Sequence, residues 1–85
     1  MNTREFVQKH LENALEGSSI EVLDPRGDDC HLEAIVVSEK FEGLSLIKQH
    51  QLVMNTLKDH FNGGGLHALA LKTYTPQAWK EKNNV

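Results

Sequence analysis

The chain is short of several things. It has one cysteine, two prolines, three phenylalanines, one tyrosine and one tryptophan. A lone thiol excludes an internal disulfide and fits a reducing compartment. No apolar run approaches the ~18–20 residues that span a bilayer as a helix, so no membrane segment is expected. Positive charge is not in excess: nine Lys and Arg stand against twelve Asp and Glu, for a net charge of −3. A domain that holds nucleic acid by charge alone is usually basic, which weakens that class of function. Internal repeats and low-complexity linkers are absent. At 85 residues there is no room for two hydrophobic cores, so residues 1–85 are expected to form a single domain.

What is present reads as globular, with 39% apolar and 25% charged residues. Met1 to His10 is polar and helical in pattern, unlike a secretory signal, so a cytoplasmic home is expected. The first helix has Asn2 as cap, Glu5 as capping-box partner and Phe6, Val7, His10, Leu11, Ala14 and Leu15 at helical spacing. Gly17 stops it. Ser19 to Asp24 alternates as a strand, Pro25 to Asp29 is a turn-rich loop, and His31 to Ser38 is a second strand with a β-branched run. A short connection between consecutive strands implies an antiparallel hairpin.

After Phe41-Glu42-Gly43 the period turns helical. Leu46, Ile47, His50, Val53, Met54, Leu57 and Phe61 make one apolar stripe, and a short separate turn is expected around Leu44 to Ile47. Asn62 to Gly65 ends this helix. Leu66 to Tyr74 is a third strand. Thr75 caps a last helix with Pro76 at its first position, Trp79 anchors it, and Lys80 to Val85 is expected to fray. The order is α-β-β-α(-α)-β-α, an α+β fold with a three-stranded mixed sheet. The second strand, the long helix and the third strand form a crossover, which makes those two strands parallel. Parallel strands start at the same end of a sheet, so Cys30 and His31 are expected beside His67.

Those three residues are the candidate metal ligands. They are too few to close a structural zinc site. One thiol cannot hold a cluster that needs four thiolates, although imidazole replaces thiolate in Rieske centres. A partner would have to supply the missing ligands. The plain alternative is a polar loop and a histidine after a glycine-rich turn. His10, His50 and His60 fit helix-end or boundary positions. Enzyme chemistry is thin. Adjacent strand residues point to opposite faces, so a direct Cys30–His31 pair is not expected. Gly63-Gly64-Gly65 leads into a strand and lacks the Lys and hydroxyl of a phosphate loop. The element order resembles a type II KH fold, but Gly43-Leu44-Ser45-Leu46 is no GXXG loop.

Three segments carry a family likeness. They are His31 to Ser38 running into Phe41-Glu42-Gly43, the helix segment Lys48-Gln49-His50-Gln51-Leu52-Val53, and Leu66-His67-Ala68-Leu69 through Thr75-Pro76-Gln77-Ala78-Trp79. Over roughly Phe6 to Trp79 the chain resembles the BolA family. The resemblance implies a type II KH-like fold and a non-enzymatic partnership with a monothiol glutaredoxin. In such a heterodimer a [2Fe–2S] cluster is bridged by the glutaredoxin cysteine, glutathione, the histidine at His67 and a Cys or His entering the second strand. Here Cys30 and His31 both match, and the sequence does not choose. The family's Arg-His-Arg helix motif reads Gln49-His50-Gln51, so a DNA-binding regulator ranks second. Alone, the protein is expected to be a monomer or weak homodimer without cofactor. His67 and the loop from Asp28 to His31 should be accessible, with the loop mobile.

Overall fold

The computed structural model describes residues 3–61 and 68–83, and of residues 59–61 the backbone alone. Seven elements follow in order. Helix α1 is Thr3–Ala14, strands β1 and β2 are Ser19–Leu23 and His31–Val37, and a 3₁₀ turn covers Glu39–Phe41. Helix α2 is Leu46–Phe61, strand β3 is Ala68–Tyr74 and helix α3 is Pro76–Asn83. The expected Asn2 cap, the Phe61 side chain, the turn at Asn62 to Gly65, and Leu66 and His67 lie outside the described residues.

The sheet order is β1-β2-β3, with β1 antiparallel and β3 parallel to β2. Alternation along each strand sorts side chains onto two faces. Ile20, Val22, Leu32, Ala34 and Val36 face inward and are buried with Val7 and Leu11 of α1 and Val53 and Leu57 of α2. Both long helices therefore cover the same face. On the other face Glu21, Ile35 and Lys72 stand in one row, and Lys72 Nζ lies 3.1 Å from Glu33 Oε1.

The Phe41-Glu42-Gly43 segment is structural. Ser38 caps the 3₁₀ turn by accepting the Lys40 N–H, and its hydroxyl also accepts from Ser18 Oγ at 2.8 Å. The turn drops Phe41 into the core with no exposed surface. Gly43 then takes a φ of +79°, where a side chain would be strained. The extra helical turn thus lies at Glu39–Phe41, not at Leu44 to Ile47 as the sequence suggested. Ser38 supplies the cap that places it there.

Two further expectations change. Leu46 and Ile47, read as part of the apolar stripe, are 60% and 71% exposed. Both lie in the first turn of α2, where Leu46 lines an open hollow of about 290 Å³ with His50 and with Leu71 and Tyr74 of β3. The fully buried positions of α2 come later, at Val53 and Leu57. At the C-terminus, α3 runs to Asn83, so Lys80 to Asn83 are helical rather than frayed. Thr75 caps α3 as expected, its Oγ1 accepting the Ala78 N–H at 3.2 Å. The Trp79 ring lies 5.1 Å from that of Tyr74.

Candidate functional site

The β1–β2 loop ends where β2 begins, at the same end of the sheet as the start of β3. His31 is in register with Ala68, and the Ala68 N–H donates to the Cys30 carbonyl at 3.1 Å. The crossover geometry therefore holds at this edge. Of the three candidate ligands, Cys30 and His31 come together here, while His67, the residue before Ala68 in sequence, lies outside the described residues.

The loop is built by aspartates. Asp24 accepts the N–H groups of Gly27 and Asp29. Asp29 takes a φ of +61° and sends its carboxylate across to the first turn of α1. There Oδ2 accepts the Thr3 N–H at 2.7 Å and Oδ1 the Arg4 N–H at 2.9 Å. This satisfies two of the orphan donors at the helix start and places a negative charge on the positive end of its dipole. Asp28 Oδ1 accepts from both Cys30 N, at 3.1 Å, and His31 N, at 3.0 Å. These bonds pin Asp24 to His31 against itself and against α1. The expected looseness of the loop finds no support in them, while accessibility does: Asp28 is exposed, and Cys30 and His31 are half-buried.

A second expectation fails at the same place. Cys30 Sγ lies 3.4 Å from His31 Nδ1, although neighbouring strand residues were expected to diverge. The divergence rule applies inside a strand, and β2 starts only at His31. Cys30 belongs to the loop, where the backbone can turn its side chain back. Asp28 joins the pair, with Oδ2 2.7 Å from His31 Nδ1. Donor atoms of Asp28, Cys30 and His31 all lie within 4.8 Å of one another. Sequence reading missed Asp28. The available signal was an Asp placed two and three residues before Cys30 and His31, the spacing of an Asx turn.

The electrostatics follow from these bonds. Backbone N–H donors from His31 and Cys30, with the nearby imidazole, hold Asp28 far below the usual carboxylate range. The Arg4 and Thr3 N–H groups lower Asp29 in the same way. Loss of water around Cys30 pushes its thiol up, and the negative charge of Asp28 adds to that. A nucleophilic cysteine needs the opposite shift. The two aspartates also set an acid limit. Their folded pKa values lie below the unfolded ones, so their stabilisation is complete above about pH 4, the ordinary Asp value, and disappears as pH falls through the folded values. Urea midpoints should therefore decline below about pH 4. Asp29→Asn, which keeps one acceptor and loses the charge, should show a shallower decline. An acid limb identical to wild type would refute the role given to Asp29.

The helix segment that departs from the family motif has a different use. Gln49 Nε2 donates to the Leu44 carbonyl at 3.0 Å, and its Oε1 accepts from Thr73 Oγ1 at 2.7 Å. It ties the start of α2 to β3 instead of reaching outward. No helix of the described residues is long and apolar enough to cross a membrane.

A family model described as BolA-like protein matches residues 3–78. A BolA-like protein of Dictyostelium discoideum is 46% identical over 69% of this chain and 52% of its own length. The chain thus spans about half of that relative. The DNA-binding transcriptional regulator BolA of Vibrio cholerae is 34% identical over 94% of this chain and 81% of its own. Among solved structures, BolA1 from Arabidopsis thaliana superposes with a TM-score of 0.79 at 31% identity, covering 91% of this chain and 95% of that one.

Proposed function

Because the chain belongs to the BolA-like family, we propose that it is a non-enzymatic adaptor. It pairs with a monothiol glutaredoxin and shares with it the ligation of a bridging [2Fe–2S] cluster. The setting is cytoplasmic cluster trafficking or iron homeostasis. One observation carries this reading. A thiol and an imidazole sit 3.4 Å apart at an accessible end of the sheet, in a number that cannot complete a site alone. The donor set suits iron: thiolate and imidazole together ligate [2Fe–2S] centres. Cys30 or His31 would provide one ligand from this chain and His67 the other. The glutaredoxin cysteine and glutathione would provide the rest. The cluster supplies the shared iron and sulfide; the chain's part is to hold two donors at an edge that a partner can reach. The residues do not suit thiol catalysis, because the raised Cys30 pKa leaves little thiolate at neutral pH. In isolation the protein would be a monomer or weak homodimer.

The test is reconstitution with a monothiol glutaredoxin, glutathione, iron and sulfide. The mixture should give a visible circular dichroism spectrum unlike that of the glutaredoxin homodimer. An unchanged homodimer spectrum would count against the assignment.

A second reading, a DNA-binding regulator, is favoured by the name of the Vibrio relative. The net charge of −3 and the inward use of Gln49 weigh against it. DNA binding tighter than ~10⁻⁴ M with a steep salt dependence would restore it.

A further inference from the structure

We infer that Asp28 is the positioning residue of the site. It fixes the tautomer of His31 so that the imidazole, and not the Cys30 thiol, is this loop's ligand, through Nε2. The inference rests on the shared-cluster reading and deepens it by choosing between two adjacent candidates.

Asp28 Oδ2 faces the His31 ring. A carboxylate can only accept, so the 2.7 Å bond to His31 Nδ1 requires the proton on that nitrogen. Neutral imidazole carries a single N–H, so its lone pair is then on Nε2. Cys30 Sγ faces the protonated nitrogen at 3.4 Å. It finds there no base to take its proton, which removes the one arrangement that would make a Cys–His nucleophile of this pair. The other carboxylate oxygen makes the arrangement rigid. Asp28 Oδ1 accepts the backbone N–H groups of both Cys30 and His31, so one side chain sets the loop and the ring together. Arg26 Nε, 3.9 Å from Oδ2, is the nearby cation that favours the carboxylate. A carboxylate on the non-ligating nitrogen of a histidine is the usual support of a metal-bound imidazole. It fixes the ring and raises the basicity of the ligating nitrogen.

Asp28→Asn is the informative variant. It keeps an acceptor for the two backbone N–H groups but puts an amide N–H₂ where Oδ2 was. That group donates to Nδ1 and moves the imidazole proton to Nε2.

Long-range ¹H–¹⁵N correlation spectra of the isolated, metal-free protein read the tautomer directly. The expected result for the neutral His31 ring is a protonated Nδ1 and an unprotonated Nε2. D28N should show the reverse, with the rest of the amide spectrum preserved. In reconstitutions with a monothiol glutaredoxin and glutathione, D28N should bind the cluster about 10–100-fold more weakly, and C30A should bind it as wild type does. An Nε2-protonated His31 in the wild type would overturn the inference. Equal cluster binding by D28N, or loss of the cluster in C30A with retention in H31A, would do the same and leave the shared-cluster reading standing. A wild-type protein that forms no cluster complex would overturn both.

Discussion

Phe41→Ala is expected to cost about 3–5 kcal/mol of folding stability. Phe41 has no exposed surface and is among the largest fully buried side chains. Truncation removes its transfer free energy and leaves a cavity in a core that has few other large residues to collapse into it. At roughly 0.05–0.15 kcal/mol per residue, a domain of this size has about 4–13 kcal/mol in total. The substitution therefore consumes a large share of the whole, and the lower end of that range means an unfolded protein. The side chain cannot be replaced from nearby, because the turn that delivers it is fixed by the Ser38 cap and by Gly43 at φ +79°. Phe41→Leu fills most of the space and should lose much less. Urea unfolding followed by far-ultraviolet circular dichroism checks both variants. A Phe41→Ala midpoint equal to wild type would show that this residue is not the keystone of the core.

The second large effect concerns the site. His31→Ala should return the visible spectrum of a reconstituted mixture to that of the glutaredoxin homodimer, a loss of cluster sharing of more than about 100-fold. Removing a ligand should cost at least what removing its hydrogen-bonded support does. His67→Ala should behave the same way, and Cys30→Ala should not. Stability should change little in the His31 variant. His31 is half-buried at the strand start, and its backbone bond to Asp28 does not depend on the ring. This separation matters, since a folded protein that no longer shares a cluster has lost a ligand and not its fold. Retention of the heterodimer spectrum by His31→Ala would remove His31 from the site.

Much of the fold was legible because its signals are local. Ile20 and Val22 alternate with polar neighbours, and Thr75-Pro76 marks a helix start by its own chemistry. The parallel pairing of β2 and β3 follows from chain topology alone, and it sets the start of β3, at Ala68, against Cys30; the neighbour the sequence pointed to, His67, lies outside the described residues. What escaped depends on partners distant in sequence. Asp29 reaches 25 residues back to Arg4. Nothing in Pro25 to Asp29 distinguishes such a cross-brace from an ordinary polar turn. Leu46 and Ile47 fit the helical period as well as Val53 does, but periodicity does not tell which turns of a helix end up covered. Gln49 reads as a lost arginine until its bonds to Leu44 and Thr73 are seen. At the site, Cys30 and His31 could be picked out by ligand type. Their contact could not, because it depends on β2 starting one residue after the cysteine.

The central claim is that this chain completes a cluster site only together with a partner. Native mass spectrometry of the reconstituted mixture tests it most directly. The account predicts a complex of one copy of this chain, one glutaredoxin, one glutathione and one [2Fe–2S] unit, which disappears when His67 and His31 are both replaced by alanine. A cluster carried only by glutaredoxin homodimers, with this chain remaining free, would contradict it.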